Sequence, residues 1–220
     1  MSNKLEFKIV IVDDHVLLRD ALASLINTFL EFQVTGVASN GEEMITLFKN
    51  SARPDMVIMD LNMPKMDGYA STEWLQANYP DIKIVILTMF DSEIALIRLL
   101  KVGVRGFLKK DVHPTELKDA LLSIANDGYY YSNNATSKLA SFFHKSHLTH
   151  FSLDKAMLSE QEIEFLKLAS SEMTYKEIAQ TMHLTPRAID GYRDGLFDKL
   201  DVKSRVGLAI YAVKHGIVSF

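Results

Sequence analysis

Met59-Asp60-Leu61-Asn62-Met63-Pro64-Lys65-Met66-Asp67-Gly68 is the stretch that decides the fold of this chain. It continues the short apolar run Met56-Val57-Ile58. An earlier run, Lys8-Ile9-Val10-Ile11-Val12, ends in Asp13-Asp14. Two strands that both end in acids place three carboxylates at one edge of a sheet. Such groups repel one another and keep all their charge only when a cation shares the site. A divalent metal beside an aspartate is equipment for phosphoryl transfer.

Working outward, short β-rich runs alternate with helical patterns as far as about Asp127. The strand candidates are 8–12, 34–38, 56–59, 84–87 and 106–109, and four of them carry Val or Ile at several positions. Between them, apolar residues recur at three- and four-residue spacing. Leu17, Leu18, Ala21, Leu22, Leu25, Ile26 and Phe29 form one such set; Leu117, Ala120, Leu121, Ile124 and Ala125, behind Pro114, form another. Five strand–helix units imply a parallel sheet covered on both faces, with ligands at the carboxyl ends of its strands. Asp13, Asp14, Asp60, Thr88 and Lys110 fall at or just beyond those ends.

Residues 128–152 change character: three tyrosines, then Ser, Asn and Thr, then His144, His147 and His150. They read as a linker with one short helix near 134–144. The histidine spacing suits no single helical face, so a solvated linker is expected rather than a metal site. Beyond it the pattern is helical only. Ser159 with Glu162 and Thr174 with Glu177 are capping boxes, Thr185-Pro186 is a third start, and Ser204 opens a last helix. The second and third helices are separated only by Met182-His183-Leu184-Thr185, a tight helix–turn–helix that suits reading a DNA groove.

The bulk numbers fit one large or two ordinary domains. Of 220 residues, 48% are hydrophobic and 24% charged, which excludes a disordered chain. The absence of cysteine excludes a disulfide framework and thiolate metal sites. No apolar run is long enough to span a bilayer and the first residues lack a signal-like apolar core, so a cytoplasmic protein without a membrane partner is expected. The net charge of −4 gives no global sign of nucleic-acid binding.

The Asp-x-x-Met-Pro-x-x-Asp-Gly run after a strand, the Asp13-Asp14-His15 start and the stretch from Lys101 to Asp111 resemble the receiver domain of a two-component response regulator. Residues 157–218 resemble the LuxR-type helix–turn–helix. Order and spacing together resemble the NarL/FixJ family. The resemblance implies a flavodoxin-like, doubly wound five-stranded parallel sheet over residues 6–127, a linker over 128–152 and an all-α four-helix domain over 153–220.

It also implies roles. Asp60 would accept a phosphoryl group from a sensor histidine kinase. Asp14 and Asp60 would ligate Mg²⁺, with the Asn62 backbone carbonyl, and Asp13 would act mainly through a water. Thr88 would donate its hydroxyl to the phosphoryl oxygens and Lys110 would supply positive charge, with Lys109 as its rival. Phe107 would be the rotamer switch that follows Thr88. His15 reads as an exposed loop histidine. Phosphorylation would free the helix–turn–helix, promote homodimerisation or both, and so favour binding to a two-fold symmetric duplex site. No enzyme is expected, apart from slow hydrolysis of its own acyl phosphate. A metal-dependent phosphatase is disfavoured because Asn62 stands where a second acid belongs.

The candidate recognition helix departs from the family pattern. Where the family commonly has Val-Lys, one residue and His, this chain has Ile189-Asp190-Gly191-Tyr192. Residues 185–200 hold three basic and three acidic residues, and 152–220 hold nine and ten. The apolar face is expected at Ile189, Leu196 and Leu200, and the outward face at Arg187, Asp190, Tyr192, Arg193, Asp194, Asp198 and Lys199. Contact candidates are Lys176, Thr185, Arg187, Asp190, Tyr192, Arg193, Lys199, Lys203 and Arg205. The acidity leaves an alternative open: a phospho-regulated hub whose helical domain binds protein rather than DNA.

Overall fold

The computed structural model describes residues 6–50, 53–89, 93–132, 136–137, 158–215 and 217–218. The chain divides into two compact units, and each is taken by itself.

In the first unit, β1 (Phe7–Val12), β2 (Phe32–Ala38), β3 (Met56–Met59), β4 (Lys83–Thr88) and β5 (Gly106–Lys109) alternate with α1 (Val16–Ile26), α2 (Gly41–Asn50), α3 (Gly68–Asn78), α4 (Glu93–Lys101) and α5 (Pro114–Asn126). All strand pairs are parallel, in the order β2-β1-β3-β4-β5, with a sixth strand beyond β5. The central strands read as unbroken apolar runs because both their faces are buried: every residue of β3 is buried, whereas β2 at the edge alternates. Ile9, Ile11, Met56, Ile58, Val85, Leu87 and Leu108 pack on one face with Leu22 and Ile26 of α1 and Leu117, Leu121 and Ile124 of α5. Pleating sends Val10, Val12, Val57, Met59, Ile84 and Ile86 to the other side, and they too are buried.

The sheet has six strands rather than the expected five. The added strand, β6 (Tyr130–Tyr131), comes from the stretch read as linker. It lies beside β5 with Gly106 opposite Tyr130 and Phe107 opposite Tyr131. The Tyr130 amide donates to the Arg105 carbonyl at 2.8 Å, and the Tyr131 hydroxyl to the Val104 carbonyl at 3.0 Å. The helix expected near 134–144 and the three histidines lie outside the described residues, save Thr136 and Ser137, which are helical and exposed.

The second unit contains α6 (Glu160–Ala169), α7 (Tyr175–Thr181), α8 (Pro186–Leu200) and α9 (Arg205–Lys214). Both capping boxes form: Ser159 and Glu162 satisfy each other's amides, as do Thr174 and Glu177. Thr185 caps α8 ahead of Pro186, and Ser204 caps α9. His183 (φ 54°) and Asp201 (φ 52°) turn the chain out of α7 and α8 in the left-handed region. Phe165, Leu166, Ile178, Ile189, Leu196 and Leu208 form the core.

Candidate functional site

The carboxyl edge of the first unit's sheet gathers the acids. Asp13 follows β1 and Asp60 follows β3; their amides donate to the carbonyls of Ala38 (3.0 Å) and Val12 (2.9 Å), continuing the sheet ladder past the strand ends. Asp13 and Asp60 are buried and Asp14 is half-buried. One ligand atom from each of Asp13, Asp14, His15 and Asp60 falls in a cluster no wider than 4.8 Å. Lys110, after β5, donates from Nζ to Asp60 Oδ2 at 2.8 Å and sits 2.8 Å from Asp13 Oδ2. Its amide donates to the Thr88 carbonyl at 2.9 Å. Lys110 is therefore the lysine that reaches the carboxylates, while Lys109 stands opposite Thr88 in the β4–β5 register. Thr88 is fully buried and Phe107 is buried. The exposed His15 reaches back to Asp13 Oδ1 at 3.1 Å.

The electrostatics follow from crowding. Burial pushes the Asp60 carboxyl above its ordinary range, and repulsion from Asp13 adds to this; Lys110 and the Leu61 amide oppose it without winning. Burial pulls the Lys110 ammonium down, but its hydrogen bonds to Asp13 and Asp60 more than offset that, so its pKa ends raised. Asp14 Oδ1 lies 2.9 Å from Nδ1 of His15, and Asn62 Nδ2 is buried with no hydrogen-bond partner. Three carboxylates, Asp13, Asp14 and Asp60, crowded within reach of one another at one edge fit a hard cation that keeps its own waters.

The loop after Asp60 is anchored by close backbone approach. The Gly68 amide donates to the Leu61 carbonyl at 2.9 Å, and a Cβ at Gly68 would lie 2.3 Å from the Asp60 carbonyl oxygen and 2.7 Å from Leu61 Cα. Both neighbours are backbone and have little room to yield. Gly68→Ala is expected to destabilise the unit by roughly 1–3 kcal/mol and to displace Asp60; urea unfolding with and without Mg²⁺ measures both. Asp67 caps α3, its side chain accepting from the Ala70 amide.

Sequence reasoning missed Arg19, whose guanidinium reaches the Asp13 carbonyl and the Ser39 hydroxyl. Apolar spacing marks Arg19 only as a residue of a helix.

Several contact candidates of the second unit have partners within it. Tyr192 is half-buried, not outward: its ring stacks on Phe165 and its hydroxyl contacts Gln161. Lys199 folds back to Glu162 at 2.7 Å. Arg205 donates to the carbonyls of Ala169 (2.8 Å) and Ser171 (2.7 Å), closing the end of α6. Arg193 is held by Asp190 and Asp194, each at 2.9 Å. The Thr185 hydroxyl accepts from the Ala188 amide at 3.3 Å while the residue stays exposed. Arg187, Asp190, Gly191, Asp194, Gly195 and Asp198 make the exposed face of α8, and Lys176 and Lys203 are exposed beside it in sequence.

A Cβ at Gly191 or Gly195 meets nothing within 4 Å, so neither glycine is demanded by packing. Replacing both by Ala is expected to stabilise this domain by about 1–2 kcal/mol in all, read from its urea midpoint.

Residues 9–122 match the family model described as response regulator receiver domain, and residues 156–212 match bacterial regulatory proteins, luxR family. The chain is 32% identical to the response regulator GacA of Pseudomonas aeruginosa, over 96% of this chain and 97% of that one. It is 30% identical to the oxygen regulatory protein NreC of Staphylococcus haemolyticus, over 97% and 100%. Among solved structures, RcsB of Salmonella enterica serovar Typhimurium, bound to promoter rprA in the presence of the phosphomimetic BeF3⁻, shares the fold. The TM-score is 0.69, at 22% identity, covering 94% of this chain and 98% of that one. A receiver domain followed by a LuxR-type helix–turn–helix, matched over nearly its whole length by GacA and NreC, places this chain in the NarL/FixJ family of response regulators.

Proposed function

We propose that Asp60 is the phosphoacceptor of this response regulator and that its phosphorylation by a sensor histidine kinase controls duplex binding by the second domain. The observation that carries this is the buried pair Asp13 and Asp60 sharing one ammonium, Lys110, at the carboxyl edge of the sheet. An Asp60 carboxylate oxygen attacks the phosphorus of a phosphohistidine; the P–O bond forms, the P–N bond breaks and the imidazole leaves with a proton. Asp14, Asp60 and the Asn62 carbonyl would hold Mg²⁺, with Asp13 acting through a water. Bound there, the ion neutralises charge developing on the transferred group. Lys110 moves from the carboxylates toward the new phosphoryl oxygens, and the Thr88 hydroxyl donates to them. Phe107, paired with Tyr131 across β5 and β6, follows Thr88 and passes the change to the surface. The domains run over 6–127, with β6 (Tyr130–Tyr131) added to the first domain's sheet, and over 153–220, joined by the rest of 128–152.

Membership of the luxR family favours DNA over a protein partner for the helical domain. Arg187, Lys176, Lys203 and Thr185 are its exposed contact candidates, and Asp190 is a candidate acceptor for cytosine N4. With so little positive charge, one copy binds weakly, and two copies on a two-fold site supply avidity. Val206 (67% exposed) and Ile210 (62%) form the face of α9 that pairs two such domains. RcsB dimers bind DNA; the same is proposed for this chain once phosphorylated. No helix among the described residues is long and apolar enough to cross a membrane, in keeping with the proposed place in the cytoplasm. No activity on an external substrate is proposed.

The test is selection from a random duplex library at fixed low salt, with and without Mg²⁺ and beryllofluoride. A two-fold motif enriched only with the phosphoryl mimic supports the reading. No enrichment in either state overturns it.

A further inference from the structure

Arg19 lies on α1, yet its side chain is only 11% exposed. One of its terminal nitrogens donates to the main-chain carbonyl of Asp13 at 3.2 Å and to the Ser39 hydroxyl at 2.7 Å. Nε lies 3.6 Å from Asp20 and makes no hydrogen bond. The Asp13 peptide is thus held from both sides, its amide by the Ala38 carbonyl at 3.0 Å and its carbonyl by Arg19.

Ser39 belongs to a turn that is itself rigid. Its amide donates to Glu43 Oε2 at 2.8 Å, and the Glu43 amide donates to Asn40 Oδ1 at 3.1 Å. Two residues on, the Gly41 amide donates to the Met66 carbonyl at 3.1 Å, in the loop that follows Asp60. The β2–α2 turn offers no carboxylate to the acidic cluster. It nevertheless touches both loops that do, one through Gly41 and the other through Arg19.

We infer that Arg19 is a positioning residue for cation binding: it fixes the Asp13-Asp14 loop to the β2–α2 turn so that the acids stand ready before the metal arrives. This rests on the reading of the cluster as a Mg²⁺ site. Carboxylates that repel one another would otherwise swing apart on a loop three residues long, and each metal-binding event would have to reassemble them. Partners that hold metal ligands in this indirect way typically contribute 10–100-fold to affinity.

The experiment uses the full chain and Mg²⁺ alone. Calorimetric titration gives the Mg²⁺ Kd, and thermal melts with and without Mg²⁺ separate metal affinity from stability of the metal-free fold. Arg19→Met is expected to raise the Kd by about 10-fold or more and to shrink the Mg²⁺-dependent rise in Tm. An Arg19→Met protein that melts lower but binds Mg²⁺ as tightly as the parent would show a structural staple only, and overturns the inference. If Arg19→Met does not fold, Ser39→Ala decides: it removes one of the two acceptors at the surface of the network, and weaker Mg²⁺ binding supports the inference while unchanged binding overturns it. A parent chain that binds no Mg²⁺ overturns the reading of the site itself, a result distinct from a parent and variant that bind alike.

Discussion

Replacing Asp60 with Asn abolishes covalent phosphorylation of the chain by a small donor such as phosphoramidate, and makes the metal-free protein more stable at neutral pH. The first effect is total because no other carboxylate of the cluster shares Asp60's position on the strand that leads into the anchored loop. The second follows from the raised pKa of Asp60, which burial and the Asp13 charge impose. A carboxyl whose folded pKa lies above its unfolded one binds more protons when folded. Stability therefore falls as pH rises from the ordinary carboxylate range through the raised value, and is lowest once Asp60 is ionised. Asparagine keeps the shape and removes that charge, leaving Lys110 to Asp13. A gain of about 0.5–2 kcal/mol is the usual size when a strained functional group is relieved. Intact-mass measurement reads the phosphoryl group, and urea unfolding across pH reads the stability. A variant phosphorylated like the parent would place the acceptor elsewhere, and a stability gain that does not grow with pH would contradict the electrostatic origin.

Lys110→Ala has the opposite sign and the largest expected cost to stability. Lys110 lies between two carboxylates, its side chain and theirs 3–5% exposed. Truncation strands Asp13 and Asp60 in the same small volume with no counter-charge. Breaking a buried pair this way costs at most about 3–5 kcal/mol, less whatever water enters the space left by the side chain. Lys110 has a raised pKa, so its contribution is present at neutral pH and is lost only in alkali, as pH climbs through its raised value. The cost should grow as Asp60 ionises and should be largely recovered by saturating Mg²⁺, which replaces the missing charge. Denaturant titrations of metal-free and Mg²⁺-loaded protein provide the comparison. Equal stability of parent and variant without Mg²⁺ would mean that the acids are neutralised by something other than this lysine.

In the helical domain the charge distribution is sharper than composition suggests. Of the three basic residues between 185 and 200, Lys199 is spent on Glu162 and Arg193 on Asp190 and Asp194, while Arg187 remains exposed. The Glu162 carboxyl is pulled below its ordinary range against the effect of burial, by Lys199 and by the Ser159 cap. Side chains expected to face a duplex instead tie α8 to α6. Little charge is left for phosphates beyond the few exposed groups of α8.

Much of this was legible from residue order alone. Apolar runs flanked by acids located β1 and β3 within a residue or two, because strands buried on both faces leave an uninterrupted apolar signature. Capping boxes located α6 and α7, because a cap is a local hydrogen bond between residues three apart. Asp60, Asp13 and Asp14 follow from strand ends, a local property read against a global rule of parallel sheets. What the order of residues did not show is whatever depends on a partner distant in the chain. Tyr130–Tyr131 became a strand only because β5 offers an unpaired edge. Tyr192, Lys199 and Arg205 lie where a helical wheel shows surface, and the placement of α6 turns that surface into a seam. Arg19 carries no motif, and only the folding of β2 beside β1 brings Ser39 and the Asp13 carbonyl within its reach. Helix and strand periodicities report which face of an element is apolar; which polar groups meet across elements is decided by packing.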